Sequence, residues 1–287
     1  LDDIKIRRVV GPIINNAVNA GIQYVKDNPK IKAFVLGVSG GLDSAVVAAL
    51  ARMICDKTDV KLLGFSLPIH GNKTNEVDRS IEVGMQYCDV FSKIDIDDDF
   101  HELLYSMDRV LYRKYINQNS EISQEEKIRC GNIKARLRMI YLYNLASKHN
   151  GLVLSTDNLT ESLLGFWTLH GDVGDLGLIQ NLWKSEVYNI GQTIDGSCQL
   201  CVDAVPTDGL GITHSDLDQI LPEWTPKMGD HIDAYRFVDD TLINLLNGAN
   251  AENAITQRYE ATKFKRANPT NITREALLRK EETNEMH

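Results

Sequence analysis

The stretch Gly37-Val38-Ser39-Gly40-Gly41-Leu42-Asp43-Ser44 limits the fold more than any other part of the chain. Ahead of it, Ala33-Phe34-Val35-Leu36 is a short apolar run of the kind that forms a buried strand. Behind it, Ala45-Val46-Val47-Ala48-Ala49-Leu50-Ala51 is Ala-rich and reads as a helix. The glycines between them allow a tight bend and a close approach to a ligand. The helix start presents unpaired N–H groups and the positive end of the helix dipole. A strand, a glycine turn and a helix in this order make a phosphate-binding element. The hydroxyls of Ser39 and Ser44 can add donors. Asp43 would repel a phosphate directly, so it implies a cation between them, and Mg²⁺ is the usual partner of carboxylates and nucleotide phosphates.

The turn matches neither GxxxxGK[ST] nor GxGxxG. Val60–Ser66, Val90–Ile94 and Gly151–Ser155 read as further strands, with helical patterns between them. Alternating strands and helices predict a doubly wound α/β fold, a parallel sheet covered on both faces. Ligands in such sheets bind at the carboxyl ends of the strands. The 37–44 turn, the loop 67–72 and Thr156-Asp157 all fall at such ends. Helices are expected over 4–27, mildly interrupted at Gly11-Pro12, and over 75–87 and 101–117. Ser123-Gln124-Glu125-Glu126 opens a long one to about Lys148. Two or three helices are expected within 213–248, as a C-terminal helical segment. Asp95 to Asp99 reads as a solvated acidic loop leading into a helix. Cys198 and Cys201 form a lone CxxC without a second ligand pair, and are expected to serve packing.

The 287 residues are 43% apolar and 25% charged, which suits one globular domain with a core over about 1–266 and a polar tail over 267–287. A net charge of −9 disfavours a nucleic-acid partner and demands local cations for any anionic nucleotide. No apolar run is long enough to span a membrane. Five irregularly spaced cysteines point to reduced thiols and a cytoplasmic location.

Ser39-Gly40-Gly41-Leu42-Asp43-Ser44 resembles the pyrophosphate-binding loop of the ATP pyrophosphatase (PP-loop) superfamily, whose fold is adenine nucleotide alpha hydrolase-like. Gly131-Asn132-Ile133-Lys134-Ala135-Arg136-Leu137-Arg138-Met139 resembles the GNxKARxRM segment of ammonia-dependent NAD synthetases. Ser155 to Glu161 resembles that family's GTDxxxE, and Gly165 to Asp172 its GFFTKYGD. Lys184, Pro206-Thr207 and Lys265-Arg266 fall where the family has matching residues. The resemblance runs in order from 37 to about 266.

This resemblance implies a two-step reaction. The carboxylate of deamido-NAD attacks the α-phosphorus of ATP and releases pyrophosphate; ammonia then displaces AMP and NAD is formed. It implies that the 37–44 turn, Thr156, Lys184 and Thr207 bind ATP, and that Asp43 and Glu161 hold Mg²⁺. Lys184 would stabilise the leaving pyrophosphate, and Asp172 would take a proton from ammonium. Arg136, Asp175 and Lys265 would bind the dinucleotide, across a homodimer built partly on the long helix. Ammonium is expected as the nitrogen source rather than glutamine.

Three departures from the family pattern fall on the acid-binding side or its lid: Leu169 where Lys is common, Phe264 where His is common, and a short 206–212 loop. Two other readings share the loop. A tRNA-thiolating adenylase would show basic patches and functional cysteines; a non-enzymatic nucleotide-binding module, like the universal stress proteins, would not need Asp43, Glu161, Asp172 and Lys184 together.

Overall fold

Among the described residues, five parallel strands form one sheet in the order β3-β2-β1-β4-β5: β1 Ala33–Gly37, β2 Lys61–Ser66, β3 Val90–Lys93, β4 Gly151–Ser155 and β5 Leu176–Gly177. The structure is a computed structural model that describes residues 9–69, 74–117, 120–194, 196–204, 215–225, 230–250, 252–267 and 269–278. Ala33 of β1 lies opposite Lys61 of β2 on one side and Gly151 of β4 on the other. The strand order therefore reverses at β1, and the crevice beyond its carboxyl end is where ligands bind in such sheets. The 37–44 turn starts at that end.

Side chains of β1 alternate between two cores, as strand geometry requires. Phe34 and Leu36 pack into one, Ala33 and Val35 into the other. The first core lies under α1 (Gly11–Asp27), α2 (Leu42–Cys55), α8 (Lys184–Thr193), α9 (Ser197–Val202) and α11 (His231–Leu246). The second lies under α4 (Asp97–Met107), α5 (Arg109–Ile116) and α6 (Gln124–Lys148). The remaining helices are α3 (Thr74–Tyr87), α7 (Leu159–Leu164), α10 (Leu217–Ile220), α12 (Ala254–Ala261), α13 (Lys263–Arg266) and α14 (Arg274–Leu278). None of the helices in the described residues is long and apolar enough to cross a membrane.

Several boundaries differ from expectation for local reasons. Gly11-Pro12 begins α1 instead of interrupting it, since a proline at the first helical positions gives up an N–H that has no partner there. The expected helix 101–117 is two helices, because the Asp108 carboxylate accepts from the Val110 and Leu111 N–H groups and starts α5 afresh. Asp97, Asp98 and Asp99 form the first turn of α4, where the dipole favours them. Ser123 and Glu126 close a reciprocal capping box at the start of α6. Strand β5 is only Leu176-Gly177, too short to leave a periodic signal.

Candidate active site

The 37–44 turn is closed by its own serines. Ser44 Oγ donates to the Gly41 carbonyl at 3.0 Å and lies 3.0 Å from Ser39 Oγ. The Ser39 N–H and the Gly41 N–H point to these hydroxyls at 3.3 and 3.2 Å. Ser44, expected as a phosphate donor, is thus buried as a brace of the turn, while Ser39 is exposed. Gly40 has φ +81°, and a Cβ there would come within 2.0 Å of the Glu76 carbonyl on α3. That close approach lets Arg79 of α3 donate to the Gly40 carbonyl at 2.8 Å.

Asp43, in the first turn of α2, and Glu161, in the first turn of α7, converge on the Lys184 ammonium at the start of α8. Lys184 Nζ pairs with Asp43 Oδ2 and lies 3.1 Å from Glu161 Oε1. Lys184 is 3% exposed. It reaches Asp43 because α8 packs tightly on α2: a Cβ on Gly191 would stand 2.6 Å from the Leu42 side chain. Asn158 joins the two carboxylates, its N–H donating to Glu161 Oε2 at 3.2 Å. Its Nδ2 donates to Asp43 Oδ1 at 2.9 Å, and its Oδ1 accepts from the Glu161 N–H at 3.0 Å as the cap of α7. Burial and the Asp43 charge push Glu161 up to about 8, against the opposing Lys184 charge. Burial works against the Lys184 ammonium, but the two carboxylates outweigh it and raise its pKa well above the ordinary value. Two carboxylates focused on one cationic nitrogen make a donor set suited to a hard cation whose other ligands are phosphate oxygens and water. Among the described residues, no cluster of three acidic, His or Cys side chains suits a metal ion by itself.

These groups line a cleft of about 310 Å³ at the carboxyl end of β1, together with Thr156, Asp157, Asp172, Arg79 and Arg138. Most of the 37–44 turn faces it; Gly40 faces α3 instead. Thr207, and the expected short loop that contains it, lie outside the described residues.

Asp172 closes a tight turn: its Oδ1 accepts from the Thr168 N–H at 2.8 Å, and His170 within the turn has φ +53°. The turn aspartate also faces the cleft. Burial pushes its carboxyl up to about 6, opposed by the Thr168 hydrogen bond and the Lys265 charge. Asp157, which accepts from Ser155 Oγ at 2.8 Å, is pushed up to about 7 by burial and by the Asp172 charge.

The three residues expected to bind the dinucleotide do not line this cleft. Arg136 donates from Nη2 to the Leu169 carbonyl at 2.9 Å. Asp175 accepts from the Tyr143 hydroxyl and from the Val153 N–H, both at 2.9 Å. Lys265 donates to the Gly165 carbonyl at 2.6 Å and to that of Trp167. Leu169 is half-buried, and Phe264 points to solvent with 59% exposure.

Sequence reasoning missed Arg79, Arg138 and Asn158. Arg138 donates to the Leu67 carbonyl at 3.0 Å and is half-buried, while Lys134 is buried. Lys134 and Arg138 are four residues apart and so share a helix face, but that spacing does not say whether the face is covered. Cys198 and Cys201 pack as expected, but against the back of the turn. Their Sγ atoms lie 3.4 Å from the Ala45 carbonyl and 3.5 Å from the Gly40 carbonyl. Burial pushes both thiols up to about 11.

A family model described as NAD synthase matches residues 13–269. The NH(3)-dependent NAD(+) synthetase of Pyrococcus furiosus is 33% identical over 202 residues, covering 69% of this chain and 70% of that protein. The enzyme of the same name from Methanosarcina mazei is 29% identical over 272 residues, covering 89% of this chain and 97% of that protein. Among solved structures, an NMN synthetase from Francisella tularensis superposes with a TM-score of 0.70 at 26% identity, covering 92% of this chain and 98% of its own.

Proposed function

Because the chain belongs to the NAD synthase family, we propose that it is a ligase that couples ATP cleavage to amidation of deamido-NAD by ammonia, giving NAD, AMP and pyrophosphate. The observation that carries this reading is the convergence of Asp43, Glu161 and Lys184 beneath the phosphate turn, with Asp172 on the same cleft. The free amides of the turn and the start of α2 bind phosphate oxygens. The Lys184 ammonium, itself buried, offsets the charge that develops on the departing pyrophosphate. Arg79 supplies a second cation beside the turn. Asp43 and Glu161 would hold Mg²⁺, which when bound neutralises phosphate charge. Thr156 contacts ATP, and Thr207 is assigned the same role on sequence grounds alone.

In the second step Asp172 holds ammonium and accepts its proton. A carboxyl group raised to about 6 remains ionised at neutral pH yet is more basic than an ordinary aspartate. Arg136, Asp175 and Lys265 bind the acid beyond the cleft, after exchanging present partners for substrate groups. The outer face of α6 exposes Ile140 and Tyr143, which supports a homodimer built on that helix. Five unpaired thiols support a reducing, cytoplasmic setting. Buried, protonated Cys198 and Cys201 do not suit sulfur transfer to RNA.

A second reading concerns the acid. The likeness to an NMN synthetase, Leu169 in place of a lysine, and the absence of Arg136, Asp175 and Lys265 from the cleft all favour a smaller substrate, nicotinic acid mononucleotide. Incubation with ATP, Mg²⁺, ammonium and either acid, following pyrophosphate and product separately, tests both readings. Pyrophosphate from neither acid would refute the ligase assignment; the acid with the higher kcat/KM identifies the substrate.

A further inference from the structure

Asp239 of α11 is fully buried, and among the described residues it forms no ion pair with lysine or arginine. A carboxylate in such a place is costly unless its oxygens are satisfied. Here both are. Oδ1 accepts from the Thr160 hydroxyl at 2.6 Å, and Oδ2 accepts from the Ser185 N–H at 2.9 Å. The Thr160 oxygen in turn accepts from the Lys184 N–H at 2.9 Å. Asp239 thus takes up the first two free N–H groups of α8, one directly and one through Thr160. The carboxyl also sits at the positive end of the α8 dipole, which favours its ionised form against the burial that pushes it up to about 7.

The two residues it grips are the chain neighbours of the two it never touches. Thr160 precedes Glu161, and Ser185 follows Lys184. A further link, from the Leu159 N–H to the Leu182 carbonyl at 2.8 Å, joins the same two helix starts. The origins of α7 and α8 are therefore fixed relative to each other at one buried carboxylate. That origin sets the distance between Glu161 and the Lys184 ammonium.

We propose that Asp239 is a positioning residue for the adenylation step, holding Lys184 and Glu161 in register through Ser185 and Thr160. It contacts no substrate and takes no part in the attack of ammonia. The proposal rests on the ligase reading, but its geometry can be tested apart from it.

The test uses Asp239→Asn and Thr160→Val in the full chain. Asparagine keeps the shape and an acceptor for Ser185, and valine keeps the shape of threonine without the relay. Displacement of a group by about 1 Å can cost roughly 10²-fold. Pyrophosphate release is therefore expected to fall by about tenfold to 10²-fold in each variant, mainly in kcat. Amide formation from adenylate already formed on the enzyme is expected to keep the parent rate. The double variant is expected to lose no more than the worse single one, because both act through one chain of bonds. A residue that only supported the fold would lower both half-reactions together. The Lys184 Nζ resonance supplies a reading independent of turnover: slow proton exchange in the parent, fast exchange in both variants. A parent that releases no pyrophosphate refutes the ligase reading alone. Unchanged Lys184 exchange in both variants, or equal loss in the two half-reactions, overturns the role of Asp239.

Discussion

The phosphate cleft and the region proposed to hold the acid beyond it are built differently. On the phosphate side, charged groups hold one another: Lys184 lies between Asp43 and Glu161, Asn158 bridges those carboxylates, and Asp239 anchors the helices behind them. On the acid side, charged groups are held by backbone. Arg136 rests on the Leu169 carbonyl, Lys265 on the carbonyls of Gly165 and Trp167, and Asp175 takes the Val153 N–H. The first arrangement cannot lose a member without stranding a buried charge. The second can exchange a carbonyl for a substrate oxygen at little cost, since each contact is replaced by a similar one. A fixed ATP half and an adaptable acid half would let one catalytic apparatus serve acids of different size.

The largest effect should follow from breaking the fixed side at its centre. Asp43→Asn is expected to abolish pyrophosphate release while the protein still folds, because asparagine retains an acceptor for Asn158 Nδ2. Quenched-flow measurement of pyrophosphate at several Mg²⁺ concentrations checks this. Parent-like turnover with unchanged Mg²⁺ dependence would remove Asp43 from the metal site.

Next comes Asp172, where the two sides meet. Asp172→Asn keeps an oxygen for the Thr168 N–H and removes the base. Pyrophosphate release should be spared and amide formation slowed by about 10²–10⁴-fold, the usual worth of general-base help. The pH dependence has a definite sign. Only the ionised carboxylate accepts a proton, so amide formation in the parent should fall as pH drops through about 6. The variant should lack that limb, and its deficit should shrink as rising pH supplies free ammonia. Equal slowing of both products would place Asp172 in the first step instead.

Lys184→Ala probes the same fixed side from its cationic member. Loss of one preorganised donor typically costs about 10²–10³-fold in kcat, and the loss should appear in pyrophosphate release. The variant also leaves Asp43 and Glu161 facing each other without a counter-charge. Removing one partner of a buried pair typically costs about 3–5 kcal/mol, so the urea midpoint should fall as well. Burial and the Asp43 charge already favour the neutral form of Glu161, so protonation of that carboxyl should soften the loss.

The contrast between the two sides also explains what could be read from the sequence. The phosphate turn was legible because strand, glycines and helix are adjacent in the chain, and its demands on backbone shape restrict residue type. The sheet was legible for β1 to β4, whose runs are apolar and bounded; β5 was not, because pairing rather than pattern makes Leu176-Gly177 a strand. Asp43 could be named from its place in the phosphate turn, but Glu161 and Lys184 only through ordered motifs, as nothing local distinguishes Glu161 from a surface carboxylate. Asp239 left no signal, since its meaning depends on two helix starts more than fifty residues away. The acid-side residues were named by resemblance, yet Arg136 and Lys265 bond backbone carbonyls and Asp175 a backbone N–H, a kind of contact that no side-chain pattern encodes.

The smallest effect, and the one that sharpens the comparison most, belongs to Arg136. Its guanidinium is exposed, outside the cleft, and tied to the turn that carries Asp172 only through the Leu169 carbonyl. On the proposed reading such a group would touch the far part of a long substrate and not the nicotinate end. Arg136→Ala should therefore raise KM for deamido-NAD about tenfold, the worth of one charge-assisted hydrogen bond, with kcat for pyrophosphate release unchanged. Lysine should not restore it, because a point charge lacks the planar fork. For nicotinic acid mononucleotide, which has no adenylate half, the same substitution should leave KM alone. Titrating both acids against parent and variant under saturating ATP gives the four values needed. If KM rises equally for both, Arg136 grips the part they share. The acid side would then be as fixed in its role as the phosphate side, and its backbone contacts would mark a resting arrangement that either substrate must displace.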